Sequence, residues 1–250
     1  NGFSSLGVHF RLTKDIDLGA RWVTEGSLYG KLLEGESWEP IGSEENVFAG
    51  VFDGGGHSIE GLYINTKEDF QGLFGAIGLG ARVQNVRIYS AYIHGGSCFG
   101  GIAGISTLGN IIDVTMSGHI SAEKYSIFVG GICGYNGGNI VNCKNYGVVE
   151  TRNSLFIGGI TGVNTVSVIQ CYNTALVSGD ICVGGIAGMH TGFIEDCYNI
   201  GDIYGESGAG GLAGGLALGK ITCSYNYGTV HGEVVGGLVG INALADEFFD

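Results

Sequence analysis

The feature that most constrains this chain is a four-residue motif that occurs seven times: glycine, an aliphatic residue, any residue, glycine. Successive copies are separated by 29, 30, 28, 26, 26 and 26 residues. A regular period of this length predicts a repeat protein, in which each period forms one structural unit that stacks on the next. The first glycines of the copies are Gly72, Gly101, Gly131, Gly159, Gly185, Gly211 and Gly237.

A second signature follows the later copies: a small residue, any residue and then asparagine. Around it the apolar residues alternate with a period of two, as in β-strands, whereas helices need a period of 3.6. Glycine supplies 50 of the 250 residues, and each would destabilise a helix by roughly 1 kcal/mol. The small residues are Cys143, Cys171, Cys197 and Ser224, and the asparagines are Asn145, Asn173, Asn199 and Asn226.

Short strands separated by glycine corners predict an all-β fold, a parallel β-helix in which each period is one coil. The chain has room for about nine coils, with like residues stacked about 4.8 Å apart. We expect the glycines at sharp turns, where a Cβ would clash or strain φ. We expect the cysteines to fill a narrow inward column with Val86 and Val114. The asparagines are predicted to form a turn column that hydrogen-bonds between coils and tolerates left-handed backbone.

One continuous domain with three parts is predicted. Residues 1–71 form irregular coils with a surface insertion at about 20–46, which carries both tryptophans and the single proline. Residues 72–242 form the repeat coils. Residues 243–250 form either a cap over the open end or a truncated coil, because bare strand edges invite aggregation.

Composition and charge exclude several classes of protein. Hydrophobic residues make up 44% of the chain and charged residues 14%, so the chain is not disordered. The formal net charge of −13 argues against nucleic acid and anionic membrane surfaces as partners, because both attract Lys and Arg. No run of about 18 apolar residues occurs, so no transmembrane segment is predicted.

Motifs for cofactors and metals give no site. Residues 208–213 satisfy the dinucleotide fingerprint G-x-G-x-x-A, but the repeat register assigns them to a corner and a strand rather than to a helix. The seven cysteines make no Cys-x-x-Cys pair for zinc, and the glycine pairs lack the aspartate of calcium-binding repeats. Stacked cysteines lie close enough for disulfides between coils, but buried free thiols are favoured, with only Cys223 in an outward phase. We predict no cofactor and no metal.

Acid–base and nucleophilic catalysis also lack the expected residues. Carboxylates are scattered over different repeat phases, and so are the six histidines. His190 takes the slot of Asn136 and Asn164, which indicates a turn residue. No Ser, His and Asp arrangement is visible, so we predict that the chain is not an enzyme.

One aromatic column is a candidate binding surface. Tyr172, Tyr198 and Tyr225 each follow the inward column by one residue and therefore face outward in register. Stacked exposed tyrosines suit contact with a sugar or a protein, which makes a host glycan or host protein the candidate partner. Alternatively, the rings stack on one another and only shield the backbone. We favour this second interpretation, because exposed apolar rows are only sometimes binding sites.

The repeated glycine motif with its trailing Cys/Ser-Tyr-Asn resembles the GLUG repeat of bacterial surface proteins. The leading segments at 15–18, 38–42, 48–54, 61–64 and 72–75 are similar to the N-terminal regions of immunoglobulin A1-specific metallopeptidases and of gut-bacterial adhesins. The resemblance implies a right-handed β-helix on a bacterial surface. It does not carry over peptidase chemistry, because the zinc motif His-Glu-x-x-His is missing.

Three functions follow as hypotheses. The favoured one is a non-catalytic β-helical repeat segment of a secreted or cell-surface bacterial protein, acting as a spacer or adhesion module. The second is a carbohydrate-active β-helix enzyme whose carboxylates converge from different coils, within about 10 Å of one another in a groove. The third is the accessory region of a surface metallopeptidase whose catalytic domain is absent from this chain.

Overall fold

A computed structural model describes residues 5–242, which form a parallel β-solenoid. Strands of successive coils lie side by side in two long parallel ladders. Within the described range there is no α-helix, and the single helical element is a 3-10 turn at Gly26–Leu28. The all-β solenoid predicted from the repeat is therefore confirmed. The predicted cap at 243–250 lies outside the described residues.

The first ladder has thirteen strands: His9–Arg11, Val51–Asp53, Phe74–Ile77, Arg82–Gln84, Ala103–Ile112, Cys133–Val141, Thr161–Asn164, Ser167–Ile169, Ala187–His190, Phe193–Glu195, Ala213–Leu216, Lys220–Thr222 and Val239–Asn242. The second ladder continues each coil: Ile16–Asp17, Ser58–Glu60, Tyr63–Asn65, Arg87–Gly95, Phe99–Gly100, Thr115–Ala122, Ile127–Gly130, Lys144–Asn145, Val148–Glu150, Leu155–Gly158, Tyr172–Asn173, Val177–Gly184, Tyr198–Asn199, Ile203–Gly210, Tyr225–Asn226, Val230–His231 and Val234–Gly236. No helix among residues 5–242 has the length and hydrophobicity to cross a lipid bilayer.

The solenoid has about seven turns, so the prediction of nine coils was too high. One inward column shows eight stacked levels, which make seven steps along the axis: Phe10, Phe52, Val83, Ile111, Ile140, Val168, Ile194 and Ile221. The first coil is much longer than the others, because it contains the insertion. Dividing the chain length by a uniform period therefore overestimates the number of coils.

The insertion packs against the outside of the solenoid. Its strands Arg21–Trp22 and Leu32–Glu34 pair antiparallel, and Trp22 and Leu32 pack on Tyr63 and Tyr92 of the coil wall. The ladder resumes at Ile41, which bridges to Phe74. The last residues of the segment predicted as an insertion therefore belong to the solenoid itself.

Asparagines and glycines interlock at one inner corner. Each amide of Asn145, Asn173 and Asn199 donates to the side-chain oxygen of the next asparagine at 2.8 Å, ending at Asn226. Four of the motif glycines face this ladder: Gly131, Gly159, Gly185 and Gly211. A Cβ on Gly159 would lie 2.5 Å from Cγ of Asn173 and 2.2 Å from a carbonyl oxygen of the next coil. These four glycines are required by close approach, since their φ angles lie outside the left-handed region.

Left-handed backbone occurs at the coil corners, but not at the asparagine column as predicted. It lies in one column three residues before the motif glycines, at Cys98, Phe128, Phe156 and Cys182, and in another at the residue before the cysteine slot, where φ is between +49° and +55°. Short polar side chains tolerate this conformation better than most residues, which explains why Asn and Asp dominate the second column. Its members are Asn85, Asp113, Asn142, Gln170, Asp196 and Cys223.

The cysteine column is equivalent from coil to coil. Cys143, Cys171 and Cys197 are fully buried, and Sγ of Cys171 accepts a hydrogen bond from the backbone N–H of Cys143 at 3.2 Å. All seven cysteines are free thiols, and Cys223 alone is exposed. Burial raises the pKa of the Cys98 thiol to about 12 and that of Cys182 to about 11, so these thiols stay protonated at neutral pH.

His190 is buried at the end of a strand rather than lying in an open turn. Its Nδ1 lies 3.2 Å from the amide nitrogen of Asn164, and its Nε2 lies 3.2 Å from the carbonyl oxygen of Lys220. Because that carbonyl can only accept, Nε2 donates and Nδ1 accepts, which makes the ring neutral. Burial lowers the pKa of this imidazole, and the Lys220 carbonyl opposes the effect.

Replacing Gly185 by alanine should destabilise the fold strongly. The new Cβ would lie 2.3 Å from Cγ of Asn199 and 2.4 Å from the carbonyl oxygen of Gly211. We expect a loss of about 3 kcal/mol in the free energy of unfolding, measured by denaturant titration. Gly237→Ala is the matched control, because nothing lies within 4 Å of its Cβ position, and it should stay within about 0.5 kcal/mol of wild type. Equal losses in both variants would contradict the interlock.

His190→Asn should reduce the loss of stability in acid. The pKa of His190 is lower in the folded chain than in the unfolded chain, so stability is lost as pH falls from about 6.5 toward the folded value. Asparagine can extend the column of Asn136 and Asn164 without titrating. Melting temperatures between pH 7.5 and 5 should fall less steeply for this variant than for wild type and for the exposed control His9→Asn. An unchanged slope would show that His190 does not couple folding to pH.

Candidate functional site

The predicted tyrosines belong to a longer outward-facing column, which we call the outer column. Beyond Ser58 of the preceding coil, which pairs with Arg87, the second ladder places six residues over one another on successive coils. Every parallel step brings the same repeat position to the same place, so the column is straight. Its members are Arg87, Thr115, Lys144, Tyr172, Tyr198 and Tyr225.

The aromatic end of the outer column is a closed stack. The rings of Tyr172 and Tyr198 lie 4.7 Å apart at 11°, and those of Tyr198 and Tyr225 lie 5.3 Å apart at 6°. Lys144 places Nζ 5.6 Å from the centroid of the Tyr172 ring, on the side of the preceding coil. Both faces of the Tyr172 and Tyr198 rings are thus covered, and only the ring edges and hydroxyls face outward. This geometry favours hydrogen bonding over stacking of a sugar ring on those faces.

Hydroxyl groups of this stack are already linked to a neighbouring column. The hydroxyl of Tyr172 hydrogen-bonds to that of Tyr146, whose ring is 46% exposed. Burial, together with this bond, raises the pKa of Tyr172, and burial raises that of Tyr198. Both phenols are therefore neutral at physiological pH and can donate as well as accept hydrogen bonds. That Tyr172, Tyr198 and Tyr225 bind a partner stays a prediction.

The other end of the outer column opens into a second feature, which we call the polar groove. It has a volume of about 430 Å³. Three of its residues come from the outer column, three from the left-handed corner beside it and the rest from the first two coils. The lining residues are Arg11, Asp53, Gly55, Gly56, Asn85, Arg87, Asp113, Thr115, Asn142 and Lys144.

Hydrogen bonds between coils order the floor of the polar groove. Asn85 donates its amide to Asp53 at 2.9 Å, and Asn142 donates its amide to Asp113. Arg87 donates to the carbonyl oxygen of Gly56 at 2.8 Å. These contacts hold carboxylates and a guanidinium in fixed positions before any ligand arrives, which lowers the entropy lost on binding.

Asp53 of the polar groove does not have the property that the acid of a hydrolase needs. The hydrogen bond from Asn85, followed by that from the N–H of Gly55, lowers the pKa of Asp53. A glycosidase needs a carboxylic acid whose pKa is raised so that it can protonate the leaving group. Asp53 and Asp113 come from different coils, as the hypothesis of a carbohydrate-active enzyme requires. The ionised Asp53 is nevertheless suited to binding rather than to acid catalysis.

A serine, a histidine and a glutamate also meet on the wall beside the insertion, although the histidines are scattered in the sequence. Nδ1 of His94 lies 3.0 Å from Oγ of Ser121, and Nε2 lies 3.4 Å from Oε1 of Glu123. Acyl transfer also requires backbone N–H groups that are free to hold an oxyanion. Here the strand containing Ser121 is paired along the ladder, and the N–H of Glu123 donates to Gly95 at 3.0 Å. The N–H of Glu123 is therefore not free to hold an oxyanion.

Sequence reasoning missed the polar groove for an identifiable reason. Arg11 and Asp53 lie in the irregular first coils, where the repeat gives no register. The corner asparagines and aspartates do recur, always one residue before the cysteine slot, and this period was the available signal. The same pairing shows that Lys144 shares a column with the tyrosines.

The fold matches one solved structure over nearly the whole chain. It is a crystal structure from Bacteroides ovatus, of a protein provisionally named an immunoglobulin A1 protease. The TM-score is 0.65 at 19% identity, covering 96% of this chain and 78% of that chain. At this identity the likeness shows the fold alone. No protein-family model matches, so the GLUG assignment stays a prediction.

Two curated relatives are similar in sequence. A provisionally named Gly-rich membrane protein of Evansella cellulosilytica is 41% identical over 88 residues, which cover 35% of this chain and 9% of the relative. Halomucin of Haloquadratum walsbyi is 32% identical over 146 residues, which cover 57% of this chain and 2% of the relative. The chain thus spans less than a tenth of the length of either relative.

Proposed function

We propose that this chain is a non-catalytic, GLUG-type β-helical segment of a secreted or cell-surface bacterial protein, acting as a spacer and adhesion module. The observation that carries the proposal is the outer column, which presents six side chains in register along one side of a rigid rod. A host glycan or host protein is the partner that such a surface fits.

The interior of the rod supports a spacer role. Most levels of the inward columns are apolar or hydrogen-bonded, from the fully buried Ile111 and Ile140 to the asparagine ladder, although the buried hydroxyl of Ser106 has no hydrogen-bond partner among the described residues. Each coil contacts its neighbours through backbone hydrogen bonds along both ladders. A solenoid of this kind holds whatever is attached to its ends at a fixed separation.

The relatives support a location at the cell surface. One is named a membrane protein, and in both relatives the matched region is a small part of a much longer chain. Acidic chains with few basic residues also repel anionic lipid, which fits a segment held away from the membrane. Adhesion by a repeat segment within a long surface protein agrees with these matches.

A second candidate function rests on the match to the Bacteroides ovatus structure. The similarity over 96% of this chain suits an accessory region of a surface metallopeptidase. In that role the segment would engage a substrate for a catalytic domain elsewhere. The two roles share the binding surface and differ in what the rest of the protein does.

Binding of the whole chain to an array of host glycans and host proteins tests the proposal. Wild type should bind a restricted set of features. Tyr198→Ala should weaken that binding by about tenfold or more, because it removes a hydroxyl and opens the stack at its centre.

Tyr89→Ala is the matched control, because Tyr89 is an exposed tyrosine, at 41%, on another part of the same ladder. It should bind like wild type. Circular dichroism would verify that both variants keep the β-solenoid. Absence of binding to any feature, or equal losses in both variants, would reject the adhesive role of the outer column.

A further inference from the structure

The polar groove carries an inference that rests on the proposed adhesive function and names its ligand class. We infer that the polar groove binds a negatively charged saccharide, one whose sugar rings carry a carboxylate or a sulfate. Arg87 and Lys144 recognise the anionic group. Asp53 and Asp113 accept hydrogen bonds from the sugar hydroxyls.

The first observation is a local reversal of charge. The whole chain carries −13, with only 11 basic residues. Three of these, Arg11, Arg87 and Lys144, line one groove against two carboxylates. None of the three takes part in an ion pair within residues 5–242. Basic groups held together without carboxylate partners at 4 Å are available to an anion from outside.

The second observation is how the cations are held. Arg87 uses one N–H for the carbonyl oxygen of Gly56, which fixes its guanidinium over the turn and leaves its other donors for a ligand. Lys144 is held against the ring of Tyr172. Thr115 lies between Arg87 and Lys144 in the outer column, so the backbones of the two cations are about 10 Å apart along the rod. Each cation suits an oxyanion with several acceptor oxygens, such as a carboxylate or a sulfate.

The third observation distinguishes a saccharide from a simple anion. The N–H of Gly55 and the amide of Asn85 donate to Oδ1 of Asp53, and the side chain of Gln84 also hydrogen-bonds to this carboxylate. An ionised carboxylate has about four acceptor sites, so Asp53 can also accept from a sugar hydroxyl. The lowered pKa keeps this acceptor ionised. Asp113 and Thr115 add polar groups on the next coil. Acceptors placed among cations fit a ligand that has both hydroxyl donors and an anionic group.

The fourth observation is size. The groove volume of about 430 Å³ falls within the range of roughly 300–1,000 Å³ typical of small-molecule sites. Its floor includes Gly55 and Gly56, with φ of +61° and +80°, so the turn approaches the ligand without side chains. A short stretch of a polysaccharide fits this space and can continue along the outer column.

Isothermal titration calorimetry with defined oligosaccharides tests the inference. The probes are trigalacturonate and its fully methyl-esterified form, and a sulfated galactose trisaccharide with its desulfated form. Wild type should bind at least one acidic probe about tenfold or more tightly than its neutral counterpart. The two pairs tell a carboxylate from a sulfate as the preferred group.

Variants tie the binding to the polar groove. Arg87→Gln and Lys144→Gln should each weaken binding of the acidic probe by about tenfold or more, with little effect on the neutral probe. Arg82→Gln is the matched control, because Arg82 is also an exposed strand arginine but lies on the first ladder, outside the groove. It should bind like wild type. Circular dichroism would check the fold of each variant.

Several results would overturn the inference: no binding of either acidic probe, equal affinity for acidic and neutral forms, or equal losses in Arg82→Gln and Arg87→Gln. A hexaglutamate peptide that binds as tightly as trigalacturonate would also overturn it, in favour of an acidic peptide. If the acidic probes do not bind but the array shows binding that depends on Tyr198, the inference about the groove is rejected and the adhesive function is retained. Binding of the acidic probe without any array binding would reject adhesion and keep the groove.

Discussion

The close approach of a motif glycine to a buried asparagine of its own repeat is the interaction on which the coils from Gly131 to Gly211 depend. Gly159 and Asn173 show it most simply, since a Cβ on the glycine would lie 2.5 Å from Cγ of the amide. The asparagine fills the corner and at the same time bonds the asparagine above it at 2.8 Å. A buried amide is costly unless it is paired, and here each amide is paired by its equivalent. Coil stacking thus satisfies the polar groups that coil closure buries.

This interlock separates the constraints on the two sides of each strand. Inward positions must keep similar residue types from coil to coil. Cys143 and Cys171, for example, occupy equivalent positions one coil apart, and each thiol hydrogen-bonds to the carbonyl oxygen two residues before it. Outward side chains need only be compatible with a β-strand, so the residue type at these positions can change from coil to coil. The outer column uses this freedom, passing from Arg87 through Lys144 to Tyr225 along one straight line. Different ligand chemistries can therefore be placed on one rod without altering its core.

The sequence was sufficient to predict features that recur and insufficient for those that occur once. The inward position of Cys143 follows from its period, because equivalent residues in a solenoid share one environment. The number of turns did not follow, because the first coil contains an insertion that no period describes. The polar groove was hidden for the same reason, since Asp53 and Arg11 come from the irregular coils. His190 shows another limit. Its position in the column of Asn136 and Asn164 was identified from the repeat, but the burial of its side chain depends on packing against the neighbouring coils.

The geometry of the outer surface also helps to decide between binding and catalysis. Acid–base catalysis by two carboxyl groups needs one of them to have a raised pKa. In the polar groove the pKa of Asp53 is lowered, which favours its ionised form. The side chains of His94 and Ser121 are within hydrogen-bond distance, but the strands that contain them pair along the ladder through their backbone N–H groups. A parallel solenoid uses its strand N–H groups to join coils, so the polar chemistry of its outer surface comes mainly from side chains. Side chains on its outer corners remain available, and under the proposed adhesive function they supply recognition of an extended ligand at fixed spacing.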